Sequence, residues 1–245
     1  MNDLSIEIVV KYNSFLSAAE MWQKLKPMQS TLHGKDVFDE FTGKKVEAES
    51  LNNDVEKRKK NDFYYRIGEG SIYYNNPGNK NGHVGRVLIK NLATSVLEAE
   101  DWLSSFFSDD RFVMARIVDW EYETWQNNTD IASFERHGRE HKNLSKKSNN
   151  LPPPLDKLII DINANSGRRI LRSEYMEAIG STMWLGEVFW MLTGKSKSDV
   201  IGNTEFKVSE IGRSLKIKAQ DTLFTKSDGV ESIRQNSLRD LLFKN

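Results

Sequence analysis

The sequence predicts an α+β fold in which mixed or antiparallel sheets carry helices packed on them. Several short segments alternate apolar and polar residues, which indicates strands, and several stretches with an apolar stripe begin at capping residues, which indicates helices. The two kinds of segment are interspersed without a repeating β-α-β unit, so a doubly wound parallel sheet is not favoured.

The first half of the chain is predicted to contain three strands and two helices before a final strand. Their ranges, in chain order, are strand 4–12, helix 17–27, strands 71–75 and 83–90, helix 95–107, and a strand from Ile117 onward. The first helix is indicated by a capping box of Ser17 with Glu20, and Pro27 is expected to end it. Residues 33–62 are polar and poorly periodic, and residues 75–82 favour turns, so no element is predicted in either segment.

The second half begins with a polar segment, residues 126–154, that is predicted to be a long loop ending in a proline run. The elements expected after it are a strand at 157–163, a helix at 173–180, a central apolar element at 182–194, strands within 206–221 and a helix from Asp228 to about Phe243. The 245 residues are therefore expected to form a single α+β domain, either as one unit or as two halves, 1–125 and 155–245, joined by the loop.

Composition excludes several classes of function. Lys plus Arg equals Asp plus Glu at 35 each, which argues against nucleic acid and anionic membranes as partners. The chain has no Cys, so a disulfide, a thiolate zinc site and a cysteine nucleophile are all excluded. No apolar stretch approaches the ~20 residues of a membrane span, and the first residues lack a signal peptide's basic region. A cytoplasmic protein is expected.

The stretch RFVMARIVDWEYETWQ, residues 111–126, carries three carboxylates in strict alternation. Read as a strand, it places Asp119, Glu121 and Glu123 on one face and turns Trp120 and Tyr122 towards the core. Such a row is a solvated face, a docking surface for a basic partner or a catalytic cluster, and nothing in the sequence supplies the partners of a catalytic cluster.

Trp125 stands at the edge of the polar loop and is the Trp most expected to be exposed. Aromatic residues beside acidic ones are typical of an interface anchor with a charged rim. The candidate partner-binding residues are therefore Asp119, Glu121, Glu123 and Trp125. No catalytic residue, metal site or cofactor is predicted.

One string has an enzyme-like spacing. His137, Glu140 and His141 match the H-x-x-E-H pattern of zinc peptidases and would support a metal-dependent hydrolase, the alternative function. The pattern requires a helix packed in a core, whereas here it contains Gly138 and lacks an apolar stripe, so a polar loop is expected. A nucleic-acid-binding module built on residues 56–60 and 168–172 is a third hypothesis, which the zero net charge disfavours.

The order of several segments is similar to that of a known family. They are the opening strand with SAAEMWQKL, the pair SIYYNN and GRVLIKNL, the helix leading into RFVMARIVDWEYETW, and the C-terminal IGRSLKIKAQDTLFTKSDGVESIRQNSLRDLL. Together they resemble the immunity protein 52 family, inhibitors encoded beside nuclease-type toxins of bacterial polymorphic and type VI secretion systems. The resemblance implies an α+β fold. It also implies a cognate toxin that the protein inhibits by binding and not by catalysis. It carries no catalytic signature and no interface position, and it leaves the oligomeric state open.

Overall fold

The computed structural model describes residues 4–11, 16–58, 62–75 and 84–243. Within these ranges the strands are β1 Leu4–Val10, β2 Val37–Asp39, β3 Lys44–Val46, β4 Asp62–Ile67, β5 Gly70–Asn75, β6 Gly85–Lys90, β7 Phe112–Asp119, β8 Lys146–Ser148, β9 Leu158–Ile160, β10 Ile170–Leu171, β11 Met176–Glu177, β12 Thr182–Leu185, β13 Lys207–Ile211 and β14 Ser214–Lys218. The helices are α1 Ala18–Lys24, α2 Lys26–Gln29, α3 Leu51–Glu56, α4 Val96–Leu103, α5 Trp120–Asn127, α6 Ile131–Arg136, α7 Glu187–Thr193, α8 Lys197–Ile201 and α9 Gly229–Phe243.

Ten of these strands form one antiparallel sheet, and the predicted α+β class is confirmed. The strand order is β13-β14-β12-β7-β1-β6-β5-β4-β2-β3, while β8 pairs with β9 and β10 with β11 in two small sheets. Strand β12 pairs with β7, so segments on either side of residues 126–154 belong to the same sheet.

Apolar side chains pack on both faces of the large sheet. On one face, Ile6, Ile8 and Val10 of β1 contribute to a core that includes the buried residues of α1, α3 and α4. The opposite core joins Met183 and Ile217 to the buried residues of α7 and α9. None of the helices in the described ranges is both long and apolar enough to cross a lipid bilayer.

The structure confirms most elements that have clear local signals. The capping box of Ser17 with Glu20 begins α1, and α4, β5, β6, β13, β14 and α9 lie where they were predicted. Pro27 does not simply end the first helix, because it lies in the first turn of the short α2. The apolar run 182–194 divides at Gly186 into β12 and α7, and a Cβ at that glycine would lie 2.2 Å from the carbonyl oxygen of Phe112.

Other predictions were wrong. Residues 173–180 do not form a helix, because the chain there turns back and β11 pairs with β10. Strands β2 and β3 were missed since three-residue strands are too short to show alternation, and β4 was missed beside them. The polar segment 126–154 is not one loop, because it contains α6 and β8. In the turn-rich segment 75–82, residues 76–82 lie outside the described residues.

Candidate functional site

The candidate site is built around the junction of β7 and α5. The strand ends at Asp119, whose carboxylate accepts a hydrogen bond of 2.8 Å from the backbone N–H of Tyr122 and so caps α5. The prediction of a strand through residues 120–124 was therefore wrong. Because a helix repeats every 3.6 residues, the three carboxylates that alternate in sequence point to different sides.

The acidic surface predicted for this stretch is not present. Asp119 is a helix cap, and Glu121 is exposed and paired with Arg139. Glu123 is buried, so it cannot meet a partner at the surface. Trp125 is only partly exposed and packs edge-on against Phe134, with ring centroids 5.0 Å apart.

Three of these residues still border the solvent. Asp119, Glu121 and Trp125 line a hollow of about 580 Å³, together with Arg139 and residues 225–228. A partner contact through these three side chains stays a prediction.

Beneath α5, the structure assembles a set of charged side chains that we term the buried ion cluster. Its members are Glu7 on β1, Arg86 on β6, Arg116 on β7, Glu123 on α5 and Arg169. Glu7 and Arg116 are both 0% exposed and lie opposite each other on neighbouring strands. A charge so placed is tolerated only when it is paired and hydrogen-bonded.

Arg116 holds the two carboxylates of the cluster. Its Nε donates to Glu7 Oε2 at 2.6 Å, and its Nη1 and Nη2 donate to the two oxygens of Glu123 at 3.1 and 2.6 Å. Nη1 also donates to the carbonyl of Ile179 at 2.9 Å. The fork geometry of the guanidinium is what allows one side chain to satisfy both acids and a carbonyl.

Two further arginines close the cluster on the solvent side. Arg86 forms an ion pair with Glu7, and Arg169 Nε lies 3.1 Å from Glu123 Oε1. Burial raises the pKa of Glu7, but Arg116, Arg86 and Arg169 outweigh it and hold that pKa at about 2. Burial also lowers the pKa of Arg169, against the opposing effect of the two carboxylates.

Trp120 was predicted to lie in the core. Its side chain instead covers the buried ion cluster. Its ring is partly exposed and contacts three cations. The Lys90 ammonium lies 4.0 Å from the ring centroid, and the Arg86 and Arg169 guanidiniums lie 5.7 and 5.8 Å away. The surface beside α5 is thus aromatic and cationic.

Aromatic side chains continue from this point across the sheet. Neighbouring positions on successive strands connect the buried cluster with β4, in the order Arg116, Glu7, Leu88, Tyr73 and Tyr64.

The open aromatic row consists of Phe41, Tyr64 and Tyr73. Phe41 is 52% exposed and both tyrosines are partly exposed. Their rings meet edge to face, with centroids 6.3 Å apart for Phe41 and Tyr64 and 5.5 Å apart for Tyr64 and Tyr73. These contacts hold the rings in place at the surface.

A groove of about 420 Å³ lies between the open aromatic row and the buried ion cluster, and we term it the arginine groove. Its polar lining is Tyr73, Asn75, Arg86, Asn127 and Arg169, and its apolar lining is Val84, Ile162, Leu171 and Met176. The groove therefore brings two guanidiniums, amides and a phenol together with an apolar rim.

The histidine string does not form a zinc-peptidase helix. Helix α6 ends at Arg136, and Gly138 has φ +62°, which breaks the helix between the two histidines. His137 Nδ1 contacts the carbonyl of Ser133 at 2.8 Å. In the described part of the chain, no group of three or more His, Asp or Glu side chains is arranged to hold a metal ion.

The arginines described in the two basic segments, 56–60 and 168–172, have separate partners. Arg168 donates to the carbonyl of Asn165, Arg169 joins the buried ion cluster and Arg172 pairs with Glu177. In the other segment, Arg58 pairs with Asp39 and Asp54, and residues 59–60 lie outside the described residues. The described residues of the two segments form no continuous cationic patch.

The buried ion cluster was not predicted from the sequence, although a signal was present. Glu7 is the one charged residue in the apolar strand LSIEIVV, and Arg116 is the one basic residue in FVMARIVD. Two opposite charges inside apolar strands indicate a buried pair, since neither is stable there alone.

Comparison with known proteins gives a similarity of fold. No family model matches the chain, and no curated protein matches it. Among solved structures, the chain is similar to the Pseudomonas aeruginosa T6SS protein PA0821, with a TM-score of 0.55 and 9% identity. The alignment covers 99% of this chain and 73% of that chain. At this identity the similarity shows the fold alone, and a fold does not by itself imply a function.

Proposed function

We propose that this protein is a cytoplasmic immunity protein that binds and neutralises a cognate secreted bacterial toxin of nuclease type. It acts by protein–protein contact and performs no catalysis. Two observations support this proposal: the sequence resemblance to immunity proteins, and a fold similar along 99% of the chain to that of a protein named for the T6SS.

The observation that carries the proposal is the open aromatic row with its cationic neighbours. Tyrosine, tryptophan and arginine are the residues most enriched at the energetic centres of protein interfaces. Phe41, Tyr64 and Tyr73 are held in a row by ring contacts, and Trp120 and Arg86 continue the surface. Rigid aromatic side chains lose little conformational entropy when a partner covers them.

The test is co-expression with the toxin gene adjacent to this gene. The wild-type chain should protect cells, and a Tyr64→Ala, Tyr73→Ala double variant should protect them poorly. A purified pair should show at least a ~tenfold weaker Kd for this variant, since interface aromatics contribute about 2 kcal/mol or more.

The matched control is a Leu97→Ala, Val230→Ala double variant. These two side chains are 70% and 73% exposed and lie on helices away from the row. The control should protect as the wild type does. A toxin that stays lethal beside the wild-type protein would contradict the proposed function, and equal protection by both double variants would contradict the role of the row.

A further inference from the structure

We propose that the arginine groove is a carboxylate-binding site that receives an Asp or Glu side chain from an acidic segment of a partner protein. The inference rests on the proposed function in taking the partner to be a protein, and it reverses the charge expected from the sequence. The partner's contact segment is acidic, because this surface supplies the cations.

The first argument is the charge balance of the buried ion cluster. Among the described residues, Arg86, Arg116 and Arg169 face only the two carboxylates Glu7 and Glu123, which leaves one positive charge without a counter-charge there. Lys90 adds another, and among the described residues its ammonium contacts the ring of Trp120 and no carboxylate. One incoming carboxylate would balance the cluster.

Two cations at this surface, Lys90 and Arg169, have lowered pKa values. Burial and then the nearby Arg86 lower the pKa of Lys90. Burial also lowers the pKa of Arg169; Glu7 and Glu123 oppose it, while Arg116 and Arg86 add smaller lowering effects. Neighbouring cations therefore contribute to both shifts, although burial is the larger cause in each.

The second argument is the set of donors left at the groove. Arg86 Nη2 is buried and has no hydrogen-bond partner in the described structure. The Tyr73 hydroxyl accepts a hydrogen bond of 2.9 Å from Asn75 Nδ2, which leaves its own proton to donate. Asn127 is already occupied, since its amide nitrogen donates to the carbonyls of Glu123 and Gly167. Arg86 Nη2 and the Tyr73 hydroxyl thus each retain a proton that a ligand can accept.

The lining favours a side-chain carboxylate over a nucleic acid. Val84, Ile162, Leu171 and Met176 form an apolar wall, which suits the methylene groups of a Glu or Asp side chain. A phosphate backbone would require a row of exposed cations, and the chain has zero net charge.

The test uses the purified full-length chain and a capped hexaglutamate peptide, titrated by calorimetry at low salt. Capped hexalysine and a short single-stranded DNA of equal charge serve as comparison ligands. Hexaglutamate should bind, and Arg86→Gln should weaken it at least ~tenfold, because a charge-assisted hydrogen bond is lost. Tyr73→Phe, which keeps the ring, should weaken binding to a smaller extent.

The matched control is Arg66→Gln. Arg66 lies on the same sheet face, two strands from β6, and pairs with Glu40 instead of the cluster. Its substitution should leave hexaglutamate binding unchanged. Equal binding by wild type, Arg86→Gln and Tyr73→Phe overturns the carboxylate site, as does tighter binding of DNA than of hexaglutamate. Since no toxin is used, this result is separate from the outcome of co-expression.

Discussion

Glu7 and Arg116 show how strongly two residues can depend on each other. Both are fully buried on adjacent central strands, where they form an ion pair with each other. We expect Glu7→Gln to lower the free energy of unfolding by about 3–5 kcal/mol, because it leaves the guanidiniums of Arg116 and Arg86 short of a buried counter-charge.

Urea unfolding followed by circular dichroism measures this loss, with Glu121→Gln as the control. Glu121 is exposed and pairs with Arg139 at the surface, so its substitution should cost less than about 1 kcal/mol. Similar losses in the two variants would contradict a special role for the buried pair.

The same carboxylate makes stability depend on pH. The pKa of Glu7 falls from 4.5 to about 2 on folding, because the three arginines outweigh the effect of burial. Its contribution is therefore complete above pH 4.5 and is lost as the pH falls through 2, amounting to roughly 3 kcal/mol.

Stability curves of the wild type and Glu7→Gln should accordingly converge between pH 4.5 and 2. Chemical denaturation at a series of pH values measures the difference, in which the contributions of the other acids cancel. A constant difference over this range would show that Glu7 has an ordinary pKa in the folded protein.

At the scale of elements, the cap at Asp119 decides where β7 stops and α5 starts. We expect Asp119→Ala to destabilise the fold by about 1 kcal/mol, since the N–H of Tyr122 loses its acceptor. The effect matters for the site, because α5 carries Glu123 into the buried ion cluster and places Trp120 over it.

Asp130→Ala is the matched control for this prediction. Asp130 holds the same position before α6 but makes no side-chain capping hydrogen bond. Thermal unfolding should show a clearly larger loss for Asp119→Ala than for Asp130→Ala. Equal losses would mean that the boundary of α5 does not depend on the cap.

At the scale of the whole molecule, the large sheet joins segments from both ends of the chain. Strand β7 has β1 on one side and β12 on the other, and Arg116 donates to the carbonyl of Ile179. We expect residues 1–125 expressed alone to remain unfolded, because β7 would become an unpaired edge and the buried ion cluster would lose Arg169.

The full-length chain should then unfold in one cooperative step. Circular dichroism reports secondary structure, and tryptophan fluorescence reports side-chain packing. Trp22 and Trp184 are both buried and come from different parts of the chain. Coincident curves are expected. Two separated transitions would instead support two halves, 1–125 and 155–245, that fold independently.

The sequence by itself determined the elements with strong local signals. The capping box at Ser17 defines the start of α1, and the apolar alternation around Ile6 and Ile217 marks strands. The α+β class follows from the order of such segments. These features are encoded by residues a few positions apart, so a local pattern is enough to find them.

Tertiary structure alone decided the site. The alternation from Val118 to Thr124 fits a strand, yet Asp119 caps a helix there, and the burial of Glu123 against Arg116 holds that helix on the sheet. The cluster joins side chains from β1, β6, β7 and α5 with Arg169, and some of its partners are far apart in sequence; Glu7 and Arg116 are separated by 109 residues. Which charges meet depends on strand order and register, and these are set by the packing of the whole sheet.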